Sequence, residues 1–193
     1  MKSNNLVLSA ALLLVAGAAR AEAWSIDSAH TRVGFSVSHM VVSSVEGRFH
    51  DVKGAIELDD KDLTKSTVDL TLAAASIDTV NEKRDGHLKS ADFLDVAKYP
   101  NITFKSTRIA KAAKNKYKVT GDLTIRNVKK SMTFDVSVSD PITDLSGKPV
   151  RGARVEGKLN RHEFGLNWNK TLDKGGMLIG DEVTLNIQFE LNK

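Results

Sequence analysis

The sequence predicts an all-β protein, an antiparallel barrel of about eight strands with one short lateral helix near residues 83–94. Three observations carry this. Apolar and polar residues alternate with period two through most of the chain. The alternating runs are separated by short polar turns. A single stretch, Asn81 to Leu94, spaces its residues at helical intervals instead. A sandwich of two sheets would show the same alternation. Strand number and hairpin order favour the barrel, because closure removes exposed sheet edges.

The N-terminus reads as an export leader. Lys2 supplies a short basic region, and Leu6 to Ala19 is apolar apart from Ser9 and Gly17. Ala19-Arg20-Ala21 places small residues where a signal peptidase reads them, so residues 1–21 form a cleaved signal peptide, with cleavage after Ala23 as the alternative. The apolar run is shorter than the ~20 residues a spanning helix needs. The expected location is the periplasm, with secretion as the alternative. Residues 22–193 then form one domain.

The strands follow in order. Val33, Phe35 and Val37 alternate with small polar residues, and Val45 to Leu58 continues the pattern. Val68, Leu70 and Leu72 make the next run. Asn81 to Leu94 is read as a helix of two to three turns, because Arg84, His87, Leu88 and Ala91 lie three and four residues apart. It ends before Tyr99-Pro100. Ile102 and Phe104 resume the alternation. Tyr117 to Ile125 and Met132 to Val138 extend it, joined by a turn at Arg126–Lys129 in which Asn127 tolerates a left-handed backbone. Ala112 to Lys116 reads as another turn. After Val150 to Leu159 comes an irregular stretch, Arg161 to Gly176, with a single turn at His162–Gly165. Val183 to Leu191 closes the chain.

Composition excludes several functions. Hydrophobic residues make up 41% and charged residues 27%, a globular balance. The net charge of +4 falls by two once Lys2 and Arg20 leave with the leader, too little for a nucleic-acid footprint. There is no cysteine nucleophile, no Gly-x-Ser-x-Gly elbow and no phosphate-binding glycine loop. The histidines lack metal-ligand spacing, so neither metal nor cofactor is expected. Glu57, Asp59 and Asp60 read as a solvated turn. What remains is a polar set among apolar strands: His30, Arg32, His39, Arg84, Asp85, His87, Arg126 and Arg161. If the helix caps one end, some of these lie at the mouth of a cavity.

At this point the residues resemble a known family. Ile26-Asp27-Ser28-Ala29-His30-Thr31, Arg84-Asp85-Gly86-His87-Leu88 and Tyr99-Pro100-Asn101-Ile102 are similar to blocks of the YceI-like family. Gly121 to Lys130, Asn160 to Gly165 and Ile179 to Val183 resemble its later blocks, in the same order. Thr31 stands where the family usually has serine, and Asn127 where it often has glycine. The resemblance implies a lipocalin-like barrel with an apolar tunnel for a polyisoprenoid or similar long-chain amphiphile, such as an isoprenoid quinone, prenyl lipid or fatty amide. It implies no established reaction.

The expected tunnel wall is Val33, Phe35, Val37, Phe49, Leu70, Leu72, Leu88, Phe93, Phe104, Leu123, Phe134 and Phe164. His39, Arg84, His87 and Arg161 are the expected head-group contacts at the mouth. Expected partners are the lipid itself, a membrane in transient contact, and a second copy as a homodimer, but not nucleic acid. A structural or stress-protective protein with opportunistic lipid is the alternative. An enzyme acting on such a lipid, with His30, Asp85 and His87 as acid–base groups, ranks below both, because no nucleophile–base–orienter set is visible.

Overall fold

The structure is a computed structural model and describes residues 21–173 and 175–193. The leader read over residues 1–21 therefore lies, but for Ala21, outside the described residues. The strands are β1 (Glu22–Ile26), β2 (Arg32–His39), β3 (Ser43–Phe49), β4 (Val52–Leu58), β5 (Thr67–Ala73) and β6 (Ile77–Asp78), then β7 (Asn101–Ala113), β8 (Lys116–Ile125), β9 (Val128–Val138), β10 (Ile142–Thr143), β11 (Pro149–Asn160) and β12 (Ile179–Asn192). The helix is α1 (Glu82–Lys89).

The sheet closes because β12 is paired along both edges. One edge bonds β11 from Val150 to Asn160, and the other bonds β2 and then β1. Several strands are two halves of one bent stave. β1 and β2 meet across residues 27–31, β3 and β4 across His50-Asp51, and β5 and β6 across a 3-10 turn at Ala74–Ser76. Counted as staves, the barrel is antiparallel and eight-stranded. The Val45–Leu58 run is thus one stave with a corner in it.

The reading of the helix needs correction: α1 stops at Lys89 rather than Leu94. In a straight helix, Phe93 and Leu94 would point roughly 140° and 240° away from Leu88. Burying all of them requires the chain to turn. Ser90 takes an extended backbone, and its N–H and hydroxyl both donate to the His87 carbonyl. Asp95 is left-handed at φ 48°. Asn81 starts the helix by accepting from the Arg84 N–H at 3.0 Å.

The acidic run is also corrected. Asp59 is buried rather than solvated and accepts from the N–H groups of Lys61 and Asp62. Asp60 pairs with the buried Arg151 at 2.9 Å and with Lys193 at 3.0 Å. Lys193 also pairs with Glu22. These groups latch the end of the barrel where β12 finishes, here the lower end. The upper end lies where β11 finishes and β12 begins. The turn at Arg126-Asn127 has both residues left-handed, at φ 50° and 61°, which fits the tight hairpin geometry.

Candidate functional site

Inward-facing side chains do not fill the barrel. They enclose a cavity of about 670 Å³. Its wall follows alternate residues of β12 from Ile179 to Leu191. At ~3.3 Å per residue and a strand tilt of ~40°, this is on the order of 30 Å of barrel axis.

Val33, Phe35, Val37, Phe49, Leu70 and Leu72 lie on this wall. So do Leu88, Phe93, Phe104, Leu123 and Phe134. Phe164 does not. It is fully buried, 0% exposed, in the upper packing cluster with Leu94, Ile125 and Leu159. Its 3-10 turn, Arg161–Phe164, seats the ring among the lining residues Leu94, Ile125 and Leu159, enclosed by them rather than open to the cavity.

The lumen stays open through a device that alternation does not reveal. A Cβ built on Gly47 would meet the Phe35 ring at 2.4 Å, one on Gly121 the Phe104 ring at 2.5 Å, and one on Gly157 the Phe134 ring at 2.5 Å. Each glycine occupies an inward position, and a phenylalanine from the neighbouring strand lies across it. Cross-strand aromatic cover of a strand glycine compensates for its missing side chain. It also lays the ring against the wall, leaving the axis free. Gly157→Ala tests this cleanly, because the three atoms nearest the new methyl all belong to Phe134. The variant should fold with about 1–3 kcal/mol less stability. Its Phe134 ring should turn into the lumen, and the longest retained chain should shorten. A crystal structure with unchanged ring and lumen would refute the device.

The upper end is polar and capped. α1, the 90–99 turns and the 161–173 segment surround it. His87 contacts Phe93 and Trp168 edge-on, with centroids 5.0 and 4.7 Å apart, and bonds Asp92 at 2.8 Å. Arg84 donates to the Thr79 hydroxyl at 2.7 Å and carbonyl at 2.8 Å. Arg161, 3% exposed, donates to the carbonyls of Gly180, Leu166 and Trp168 and faces Asp181 at 3.5 Å. Burial pushes its guanidinium pKa down, and Asp181 opposes that shift. Arg161 thus holds in place the loop that carries Trp168.

His39, Arg84, His87 and Arg161 all line the cavity. Lys83, Asn81 and Trp168 join them and were not foreseen. Trp168, a tryptophan inside a polar irregular stretch, was the available signal. Among the described residues the lining contains no aspartate or glutamate, and every charged lining residue sits at this upper end. The lower lining, from Leu58 and Leu63 to Phe189 and Leu191, carries no charge.

The other polar candidates lie elsewhere. Asp85 accepts from the Thr79 N–H and hydroxyl. Arg32 faces Glu46 at 3.8 Å, and Arg126 donates to the Gly165 carbonyl. His30 sits on the outer surface with Asp27 and Glu190. The Asp27 hydrogen bond raises the His30 pKa, and His30 lowers that of Asp27. Their ligand atoms lie within 4.8 Å of one another, a trio with half-buried carboxylates that ties the β1–β2 bend to β12. His30, Asp85 and His87 are therefore not brought together.

The profile of the YceI-like domain matches residues 24–191. The chain belongs to the YceI-like family. A curated relative, a UPF0312 protein of Staphylococcus aureus strain USA300, is 34% identical over 170 residues, covering 88% of this chain and 96% of the relative. The crystal structure of the Campylobacter jejuni YceI protein superposes with a TM-score of 0.70 at 34% identity, over 86% of this chain and 95% of that one. A polyisoprenoid binding domain from Saccharophagus degradans, implicated in plant cell wall breakdown, shares the fold at 14% identity, with a TM-score of 0.66 over 88% and 97%. The YceI-like barrel is thus the frame on which the apolar lumen and its basic mouth are built.

Proposed function

We propose that this YceI-like protein is a periplasmic carrier that holds a polyisoprenoid or similar long-chain amphiphile, tail in the lumen and head at the basic mouth. The observation that carries the reading is the lumen itself, lined mainly by apolar side chains and charged at a single end. An isoprenoid tail offers no hydrogen-bonding group along its length, so it fits a wall that is mainly aliphatic and aromatic. Each buried methylene contributes roughly 0.8 kcal/mol, so a few isoprene units exceed the cost of association. A head group with a carbonyl or phosphate oxygen suits His39, Lys83 and Arg84. The polyisoprenoid binding of the Saccharophagus degradans domain supports the ligand class, and the apolar leader supports the location. Binding rather than turnover fits the separate placements of His30, Asp85 and His87.

The test is mass spectrometry of an organic extract from protein purified from its native periplasm without detergent. A stoichiometric prenyl species, also seen on the intact complex, is the expected result. A folded, empty protein that takes up neither added polyprenol nor quinone would overturn the reading in favour of a structural role.

A further inference from the structure

We propose that the tip of the β2–β3 hairpin, Met40-Val41-Val42, is a docking element for an anionic bilayer surface, across which the cavity exchanges its lipid. The proposal rests on the carrier reading for its purpose, but its observations are independent.

The tip breaks two rules at once. Met40, Val41 and Val42 are 41%, 81% and 80% exposed, consecutive apolar side chains at a position that ordinarily takes Asn, Gly or Asp. Met40 and Val41 also adopt left-handed backbone, at φ 53° and 64°. A β-branched residue there is a steric outlier, and Asn-Gly would relieve it. Neither folding nor solubility accounts for these side chains. A locally unfavourable choice with no gain inside the fold points to a function outside it.

The position says what that function meets. His39, next to the tip, lines the cavity, and Met40 N–H donates to the carbonyl of Leu178, another lining residue, at 2.9 Å. Met177, beside Leu178, is also exposed. The apolar tip is therefore continuous with the rim of the lumen. No carboxylate occurs from Ser36 to Val45, and the charged lining residues behind the tip are all basic. Lys83 among them is exposed and lies in none of the ion pairs of the described residues. An apolar tip backed by cations matches the interface of an anionic membrane, where apolar side chains enter the acyl boundary and cations meet the head groups. The lower end offers a control. Leu145 is fully exposed there, away from the basic mouth.

The experiment compares parent protein, Val41→Asn, Val42→Ser and Leu145→Ser, all carrying the same N-terminus. Co-sedimentation with vesicles of phosphatidylethanolamine and phosphatidylglycerol reads docking. Polyprenol transfer from those vesicles reads exchange, and polyprenol uptake from an ethanol dispersion reads the cavity alone. Val41→Asn should melt at a higher temperature than the parent, because the strained turn is relieved. It should nevertheless bind vesicles about tenfold more weakly and slow transfer in proportion. Val42→Ser should weaken docking likewise. Uptake from the dispersion should not change, and Leu145→Ser should behave as the parent. Vesicle binding unaffected by the tip variants would overturn the proposal. So would a parent dimer that the tip variants dissociate, which would make the surface a protein interface. A parent that docks through its tip but takes up no polyprenol from the dispersion would support the docking surface and remove the carrier reading.

Discussion

Phe104→Asp should empty the barrel of the lipid proposed for it while the sheet stays closed. Phe104 lines the lumen, with its ring over Gly121 and 5.6 Å from the Phe134 ring. A carboxylate there stands in a wall with no counter-charge, since the basic lining residues are all at the upper end. An unpaired polar group in such a setting costs several kcal/mol unless water accompanies it. Water held beside that carboxylate occupies the path of the tail. The ligand then loses the burial of every methylene beyond that point, at roughly 0.8 kcal/mol each. The expected result is loss of lipid from the organic extract, with the β-sheet circular dichroism of the parent. Phe104→Leu, which keeps an apolar wall, should retain its lipid. A folded Phe104→Asp protein still carrying stoichiometric lipid would show that the tail lies elsewhere. Phe35→Asp, over Gly47 on the other side of the barrel, should repeat the result.

Phe164→Ala should cause the largest loss of stability among single truncations, about 3–5 kcal/mol. Its side chain is the largest that is completely enclosed, and it packs where Leu94, Ile125 and Leu159 converge. Removing the ring leaves a void bounded by closed barrel staves that cannot collapse into it. Against a typical domain stability of about 5–15 kcal/mol, this is a large fraction. The same truncation loosens the Arg161–Phe164 turn, and with it the loop that holds Trp168 over the mouth. Urea unfolding should show a lower midpoint at unchanged slope. Phe164→Leu should recover most of the loss. A truncation cost below about 1 kcal/mol would mean the site relaxes around the missing ring.

Much of the barrel was legible because a strand states its two faces locally. Tyr117, Val119, Leu123 and Ile125 point inward for the same reason that Lys118, Thr120 and Thr124 do not: successive side chains alternate. The turn at Arg126-Asn127 and the helix start at Asn81 are likewise short-range chemistry. The helix end was misread because Phe93 and Leu94 leave helical register in order to reach the core, a demand set by the barrel. Asp60 was misread because its partners, Arg151 and Lys193, lie far along the chain and at its end, and Asp59 because only the closed barrel buries it.

The same division runs through the candidate site. Alternation could name Phe35, Phe104, Phe134 and their neighbours as inward-facing, and the family blocks could name Arg84, His87 and Arg161. Neither could separate Phe164, which is enclosed among lining residues, from the phenylalanines that face the cavity. Nor could they show that Gly47, Gly121 and Gly157 receive the rings that would otherwise block the axis. Side-chain direction in a strand follows from the backbone of that strand alone, so a single run of sequence determines it. Whether the inward space is filled or hollow depends on where side chains from neighbouring strands come to rest, and only the closed barrel brings those strands together.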